Sequence, residues 1–386
     1  MPDVVVIGAG AVGAACAYYA ARAGLDTLVV DRGSVAAGTT GAGEGNVLVS
    51  DKAPGPELAL ALLSRDLWLG LAAEGGDGGF EYEPKGGLVV ARTSRELTAL
   101  TALATAQAGQ GAEHVVVPPD ALGDHEPHLA DGMAGGVLYP QDAQVQPALA
   151  AAGLIRRGAE RFGGGTLMLR TGVTVTGLLR AGSRVTGVAT DHGDILAGAV
   201  VNAAGTWSGE IAAMAGTGLP ILPRRGFVLV TEPIPEPLIR HKVYTAAYVT
   251  DVASDSENLE TSAVVEATPS GPVLVGASRE RVGFDRTTSI PVLERLARQA
   301  VELFPVLAGR RAIRAYCGFR PYSPDHLPVI GEDPAASGLH HACGHEGAGI
   351  GLAPATGHLL AQTLAGVTPD LDLSPFRPGR FEEARR

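Results

Sequence analysis

The strongest constraint on the fold lies at the start of the chain. Val4-Val5-Val6-Ile7 runs straight into Gly8-Ala9-Gly10-Ala11-Val12-Gly13, and Asp31 closes the stretch. Four consecutive apolar residues predict a strand buried on both faces. Gly8, Gly10 and Gly13 have the G-x-G-x-x-G spacing. The first permits a tight turn, the second lets a pyrophosphate approach the backbone, and the third lets the next helix pack close to the strand. Residues 11–23 predict an alanine-rich helix that begins at Ala11 and Val12, with its first N–H groups facing the phosphates. Gly24 stops it. Residues 27–30 predict a second buried strand ending at Asp31, where a carboxylate can receive a ribose hydroxyl. Strand, turn, helix and acid in this order predict a dinucleotide-binding fold rather than a chance glycine-rich turn.

At 386 residues the chain is too long for one small core, which predicts two domains. A net charge of -11 argues against a nucleic-acid partner, which needs basic surface. No apolar run reaches the length of a membrane span. A strand opening at residue 4 leaves no room for a signal peptide. With Cys16, Cys317 and Cys343 as the only cysteines, this predicts a reduced cytoplasm rather than a disulfide framework. Lysine occurs only at Lys52, Lys85 and Lys242.

Residues 32–47 begin at Arg32 and carry the run Gly38-Thr39-Thr40-Gly41-Ala42-Gly43-Glu44-Gly45-Asn46. This is either a flexible linker or bare backbone and threonine hydroxyls laid against a cofactor, and the neighbouring fingerprint favours the second. Beyond it the pattern predicts a helix over 56–74, a strand over 80–92 with a turn at Lys85-Gly86-Gly87, and a capped helix from Ser94 to about residue 108. A helix is expected over 149–162, stopped by Gly163-Gly164-Gly165, then short strands over 167–169, 173–175, 185–190 and 194–196. Val200-Val201-Asn202-Ala203-Ala204-Gly205-Thr206-Trp207-Ser208 reads as a buried strand ending in small residues, with Gly205 suited to close passage by a ligand. Strands are expected over 227–231, 244–249, 262–266 and 273–276, and a helix over 291–304. Cys317-Gly318-Phe319-Arg320-Pro321 follows, with Asp325 and His326 as surface turn residues. Gly344-His345-Glu346-Gly347-Ala348-Gly349-Ile350-Gly351 then opens a helix to about residue 364.

Taken together, the N-terminal fingerprint, Val-Val-Asn-Ala-Ala-Gly-x-Trp-Ser, Gly318-Phe319-Arg320-Pro321 and the Gly344–Gly351 run before Ala353-Pro354-Ala355-Thr356-Gly357 resemble the FAD-dependent D-amino-acid oxidase superfamily, in its glycine oxidase and sarcosine oxidase branch. The resemblance covers nearly the whole chain. It implies FAD rather than a nicotinamide, and an α/β fold. A Rossmann-like FAD-binding domain would come from residues 1–48, 143–222 and 321–386. An interleaved α+β substrate domain with a mainly antiparallel sheet would come from 49–142 and 223–320. It further implies cofactor contacts from the residues above, from Val173, Ala203, Gly205 and Trp207, and from Cys317, Gly318 and the Gly344–Gly351 run. The segment Gly276-x-x-Arg279-Glu280-x-x-Gly283-Phe284-Asp285 resembles relatives that serve as subunits of opine, hydroxyproline or cyanide-forming dehydrogenases.

For the chemistry, the resemblance makes Arg320 the clamp for a substrate carboxylate, which a planar guanidinium holds with two parallel bonds; a purely structural arginine is the alternative. The Gly344–Gly351 run is implied to be a flavin loop, its helix N-terminus facing the edge where negative charge develops. His341, Cys343 and His345 could instead share a strand face and hold a metal. The glycines fit the flavin loop and no second ligand cluster is evident, so no metal is expected. Cys317 stands where sarcosine oxidases tether FAD through a thioether, against the ordinary reading of a buried small hydrophobe. Leu274 stands where those oxidases carry the lysine that activates dioxygen, and glycine oxidases have an arginine near Gly347. Glu44, His345 and Glu266 are polar candidates near the reacting centre, none assigned as base.

These implications define an expected function: oxidation of a glycine-like, D- or N-substituted (N-carboxymethyl) amino acid to an imine, then hydrolysis to keto acid or glyoxylate plus amine, with dioxygen reduced to hydrogen peroxide. One alternative is the catalytic subunit of a dehydrogenase that passes electrons to a partner. Another is a flavoprotein whose FAD is structural. A homo-oligomer is compatible with each.

Overall fold

The computed structural model describes residues 1–74, 79–160, 164–236, 238–252 and 254–383. β1 (Val4–Ile7) is buried along its whole length because it has neighbours on both sides. It pairs in parallel with β2 (Thr27–Asp31) and with Ala199–Asn202, placing Val5 opposite both Leu28 and Val200. The six-stranded sheet has the order Val329–Glu332, Leu339–Cys343, Ala199–Asn202, β1, β2, Leu167–Thr171, and only the first of these runs antiparallel to its neighbour.

The helix α1 (Ala11–Arg22) packs on this sheet through alanines and glycines. A Cβ on Gly13 would stand 1.9 Å from the Gly8 carbonyl oxygen, so only glycine allows the helix to lie this close to the turn. The C-terminal helix Gly349–Leu364 crosses α1 in the same manner, since a Cβ on Gly357 would come within 2.5 Å of the Ala15 backbone.

Eight strands form the second sheet: Ala312–Tyr322, Leu222–Thr231, Val273–Arg279, Glu260–Ala267, Lys242–Thr245, Gly87–Ala91, Gly135–Tyr139 and Val115–Val117. It is antiparallel except where Lys242–Thr245 runs parallel to Gly87–Ala91. Alternation divides its faces. Phe227, Leu229, Val265 and Val275 pack beneath the helix Ile290–Leu303 through Val292, Leu296, Ala300 and Leu303. Gly226, Val228, Gly318 and Arg320 face the other way and line a cavity shared with the first sheet.

A long helix, α2 (Pro56–Glu74), leans on the C-terminal helix. Pro354 lies inside that helix and has no N–H to give the Ile350 carbonyl. Trp68 supplies the missing donor, its Nε1 lying 3.2 Å from Ile350 O and 3.2 Å from Gly351 O. Ser64 Oγ donates to Gly351 O at 2.6 Å and accepts from Ala355 N at 3.2 Å.

Some elements differ from expectation. The run read as a strand over 244–249 is a strand only through Thr245 and then the helix Ala246–Val252, which brings Tyr248 under Tyr244 with ring centroids 5.1 Å apart. Of the segment at 173–175 only Val175 is strand, and it opens the longer strand Val175–Ala181, which turns at Gly182 (φ +63) to pair with Arg184–Thr190. Of 80–92, only Gly87–Ala91 is strand. The helix expected over 149–162 is Pro147–Ala159, because Gln146 accepts the Leu149 N–H and Pro147 sits at its first position. Its expected end at Arg161, Phe162 and Gly163 lies outside the described residues.

Candidate active site

The cavity follows the carboxyl ends of the parallel strands. Asp31, Arg32, Val173, Val175 and Met214 line it toward one side. Gly8, Gly10, Thr39, Thr40 and Gly205 line its middle, and Glu44, Asn46, Tyr248, Arg320, Gly347 and Ile350 line the other side. Gly8 (φ +112) turns where a Cβ would strike Ala203 O at 2.4 Å, and at Gly10 the nearest atom to a Cβ would be Thr40 Oγ1, at 3.1 Å. Thr40 Oγ1 also accepts the Ala11 N–H at 3.0 Å, and Thr39 Oγ1 donates to Phe319 O at 2.6 Å, which fixes both threonines over the start of α1. Bare backbone, two hydroxyls and a helix N-terminus converge here, as a pyrophosphate requires. Asp31 accepts N–H groups from Ala9 and Gly33, each at 2.7 Å and each on a different oxygen, which holds the carboxylate at the cavity and leaves lone pairs for a ribose. Beside it Arg32 lies over the Trp207 ring, 4.3 Å from its centroid. The residues present fit FAD.

Ala11, Val12, Gly43, Ala203, Gly318, His345, Glu346 and Gly349, all expected from sequence, also line the cavity. Gly13, Gly45, Gly344 and Gly351 do not border it and act through packing. A Cβ on Gly45 would lie 1.7 Å from Val145 O, one on Gly344 2.9 Å from Ile221, and one on Gly351 3.0 Å from Asn46 O.

Two expected site residues lie elsewhere. Cys317 alternates away from Gly318, packs with Phe227 in the cluster on the far face of the sheet, and has its thiol pushed up by burial. Glu266 does not border the cavity and bonds Lys242, which also bonds Asn46. Glu44 Oε1 is buried without a partner, and burial raises the carboxyl above its usual range against the opposing charge of Lys242. His345 borders the cavity but is held neutral, since burial pushes it down to about 3, and its Nε2 bonds Thr356 Oγ1 at 2.9 Å.

Arg320 sits opposite Arg224 in the sheet, and Gly226 makes room for it: a Cβ there would meet Arg320 Nη1 at 2.2 Å. Its Nη1 donates to Ser278 O at 2.8 Å. Arg224 pairs with Glu346 at 2.6 Å and Glu260 at 3.2 Å, while its Nε is buried without a partner. Burial pushes Glu346 up, but bonds from His326 and Arg224 outweigh it and hold the carboxyl below its usual range. His326 is therefore more than a surface turn residue, since it reaches Glu346 at 3.3 Å and Asp255 at 3.1 Å.

The histidine-rich run is accounted for by its bonds. His341 bonds Asp333 at 3.0 Å and Asn202 at 3.1 Å, while Asn202 donates to Ser208 O and accepts the Ala204 N–H, so this chain shapes the Asn-Ala-Ala-Gly turn. Among the described residues, no three metal-ligating side chains come together, and no helix is long and apolar enough to cross a membrane. Sequence reasoning missed Tyr248, Gly226 and Arg286 of the lining, and Lys242 behind it.

A dinucleotide cradle that opens onto an arginine able to take a carboxylate defines a flavin-dependent oxidoreductase. The chain belongs to the FAD dependent oxidoreductase (DAO) family, whose model matches residues 3–363. It is 32% identical to glycine oxidase of Pseudomonas aeruginosa over 385 residues, 97% of this chain and 98% of that protein. It is also 32% identical over 259 residues to hydrogen cyanide synthase subunit HcnC of the same organism, a match spanning 67% of this chain and 57% of that protein. Among solved structures, glycine oxidase from Geobacillus kaustophilus superposes with a TM-score of 0.87 at 27% identity, covering 98% of both chains. The protein is an enzyme of the amino-acid oxidase class with FAD as its cofactor.

Proposed function

We propose that the protein oxidises the CH–NH bond of a glycine-like, D- or N-substituted amino acid to an imine, which water hydrolyses to a keto acid, or glyoxylate from an N-carboxymethyl amine, plus the free amine. The supporting observation is Arg320: its guanidinium borders the cavity, and among the described residues its hydrogen bond to the Ser278 carbonyl leaves the rest of the fork for a ligand. When bound, FAD accepts the substrate's two electrons, and dioxygen then takes them to give hydrogen peroxide. Arg320 grips the carboxylate in two-pronged fashion, and holding that end restricts how the Cα–H is presented. The N-terminus of the helix Gly349–Leu364, with Gly349 and Ile350 at the cavity, supplies the positive pole for developing negative charge. His345, held neutral by burial and bonded to Thr356, shapes the wall and is not a cationic acid. The three free thiols suit a cytoplasmic protein.

A second reading, electron transfer to a partner subunit, draws on Leu274, an aliphatic residue opposite Val230 and Glu266 in the sheet, and on the similarity to the HcnC subunit. Anaerobic flavin bleaching tests both. Glycine, sarcosine, D-amino acids, proline derivatives and N-carboxymethyl amines are scanned, and air is then admitted. Bleaching by one group with fast recovery and peroxide supports the oxidase. Bleaching with slow recovery and full dye-linked turnover supports the dehydrogenase. No bleaching by any amine refutes amine oxidation.

A further inference from the structure

The loop that follows the strand Val273–Arg279 is pinned by a buried arginine. Arg225 exchanges backbone hydrogen bonds with Glu280, and its guanidinium takes the Glu280 carboxylate at 2.9 Å and the Asp285 carboxylate at 2.6 Å. Between these anchors Gly283 (φ +64) turns the chain. The Phe284 ring then lies flat on Trp207, with centroids 5.3 Å and planes 7° apart, and meets the edge of Phe319 at 5.3 Å. The next residue after Asp285, Arg286, is therefore carried on a fixed platform.

That platform rests on the dinucleotide cradle. Trp207, Phe319 and Arg286 all border the cavity. A Cβ on Gly38 would find the Trp207 ring at 3.5 Å, and the Phe319 carbonyl accepts the Thr39 hydroxyl at 2.6 Å. The Arg286 guanidinium carbon lies 5.5 Å from the centroid of the Phe319 ring. Three guanidinium groups border the cavity, those of Arg32, Arg286 and Arg320. Arg32 is laid over Trp207 beside Asp31, and Arg320 donates to Ser278 O at the substrate end. No acid pairs with Arg286 among the described residues, since Glu280 and Asp285 of its own loop are held by Arg225. The helix N-terminus and the threonine hydroxyls of the cradle supply only partial positive charge, whereas each phosphate of a pyrophosphate brings a full negative one.

We infer that Arg286 binds the FAD pyrophosphate, so that a loop of the second sheet supplies the full counter-charge that the cradle of the first sheet lacks. A guanidinium presents its N–H groups in a fixed fork, which suits a pair of phosphate oxygens. The cofactor is thereby held from both sheets, and the Phe284–Trp207 stack closes the clasp.

The test compares FAD with riboflavin, which keeps the flavin ring and has no phosphate. Each is titrated into the full chain stripped of flavin, at low and at high potassium chloride, and followed by flavin absorbance. Arg286→Met keeps a long side chain on Phe319. It should weaken FAD roughly 10- to 100-fold, as the loss of a charge-assisted hydrogen-bonded pair implies, and leave riboflavin unchanged. It should also flatten the salt dependence of FAD binding. Arg286→Lys should recover part of the loss, because it restores the charge without the fork. An Arg286→Met affinity for FAD within about threefold of wild type overturns the assignment. Equal weakening of FAD and riboflavin also overturns it, since that marks lost packing on Phe319. If riboflavin binds too weakly to compare, the salt dependence decides, and a slope equal to wild type overturns the assignment. If the flavin cannot be stripped without unfolding, the rate of FAD release from the diluted holoenzyme gives the same comparison, with release roughly 10- to 100-fold faster in Arg286→Met expected and an unchanged rate overturning. None of these readouts involves turnover, so a failure of the amine-oxidation reading leaves the Arg286 site standing.

Discussion

Replacing Ser64 with alanine tests how the helix bearing Pro354 is held at the cavity. The Ser64 hydroxyl is fully buried and serves two backbone groups, accepting from Ala355 N at 3.2 Å and donating to Gly351 O at 2.6 Å. In Ser64→Ala, Gly351 O keeps the Trp68 Nε1 donor at 3.2 Å, whereas the Ala355 N–H loses its acceptor. An orphaned buried donor costs about 1–3 kcal/mol and a lost neutral hydrogen bond about 1 kcal/mol, so the variant should lose about 2 kcal/mol. For a chain of this size that corresponds to a fall of roughly 2–3 °C in the flavin-release temperature, measured by flavin fluorescence during a thermal ramp. Trp68→Phe strips the donor from Ile350 O and should cost a similar amount. Both side chains meet at Gly351 O, so the double variant should depart from additivity. A Ser64→Ala protein within about 0.5 kcal/mol of wild type would show that the helix closes its own Ala355–Gly351 bond, and the bridging role would be refuted.

Three further outcomes are expected. Acid precipitation should leave all flavin in the supernatant, and Cys317→Ser should retain as much FAD as wild type, because the thiol packs on the face of the sheet away from the cavity. Lys242→Met should destabilise the fold by about 3–5 kcal/mol in urea unfolding, since it strands Glu266 and Glu44 in the interior. Lys242→Met combined with Glu266→Gln should recover much of that loss. Asp142 accepts the Val49 N–H at 2.8 Å, and burial raises its carboxyl to about 7. The folded state thus favours the protonated acid, and the associated stability is complete below about pH 4 and lost as pH rises through about 7. Relative to Asp142→Asn, wild-type stability should fall across that window by up to about 1.4 kcal/mol per pH unit. A flat difference would contradict the shift.

The parts of the fold legible in the sequence are those set by local chemistry. The fingerprint gave β1, α1 and β2 nearly to the residue, Pro56 marked the start of α2, and the capped start read at Ser94 is real, although Thr93 is the cap that closes the box with Glu96. The cradle was equally readable, because glycine spacing states where backbone must lie bare. What escaped depends on partners distant in the chain. Ala246–Val252 has the apolar composition of a strand and becomes a helix where Tyr248 packs under Tyr244, which is how Tyr248 reaches the cavity. Lys242 looks like any lysine until Glu266 and Asn46 enclose it. Glu266 and Cys317 were placed near the chemistry by position along the chain. Which way each points is decided by strand register, and a shift of one residue reverses the face.

The interleaving of the two sheets also governs how the chain can be made. β1 must wait for Ala199–Asn202, and Gly87–Ala91 for its parallel partner Lys242–Thr245. At ordinary rates of synthesis, the Val4–Ile7 strand emerges roughly 10–40 s before Ala199–Asn202. During that interval a short, flat, wholly apolar segment has an open edge, a standing invitation to pair with another chain. Of the larger pieces described, the meander Val175–Leu196 closes on neighbours in its own sequence, whereas the other two sheets are completed only by Ala312–Tyr322 and Leu339–Cys343. A message cut short before those codons therefore yields a protein with both large sheets unfinished, so productive folding waits for strands that lie more than 300 residues after β1.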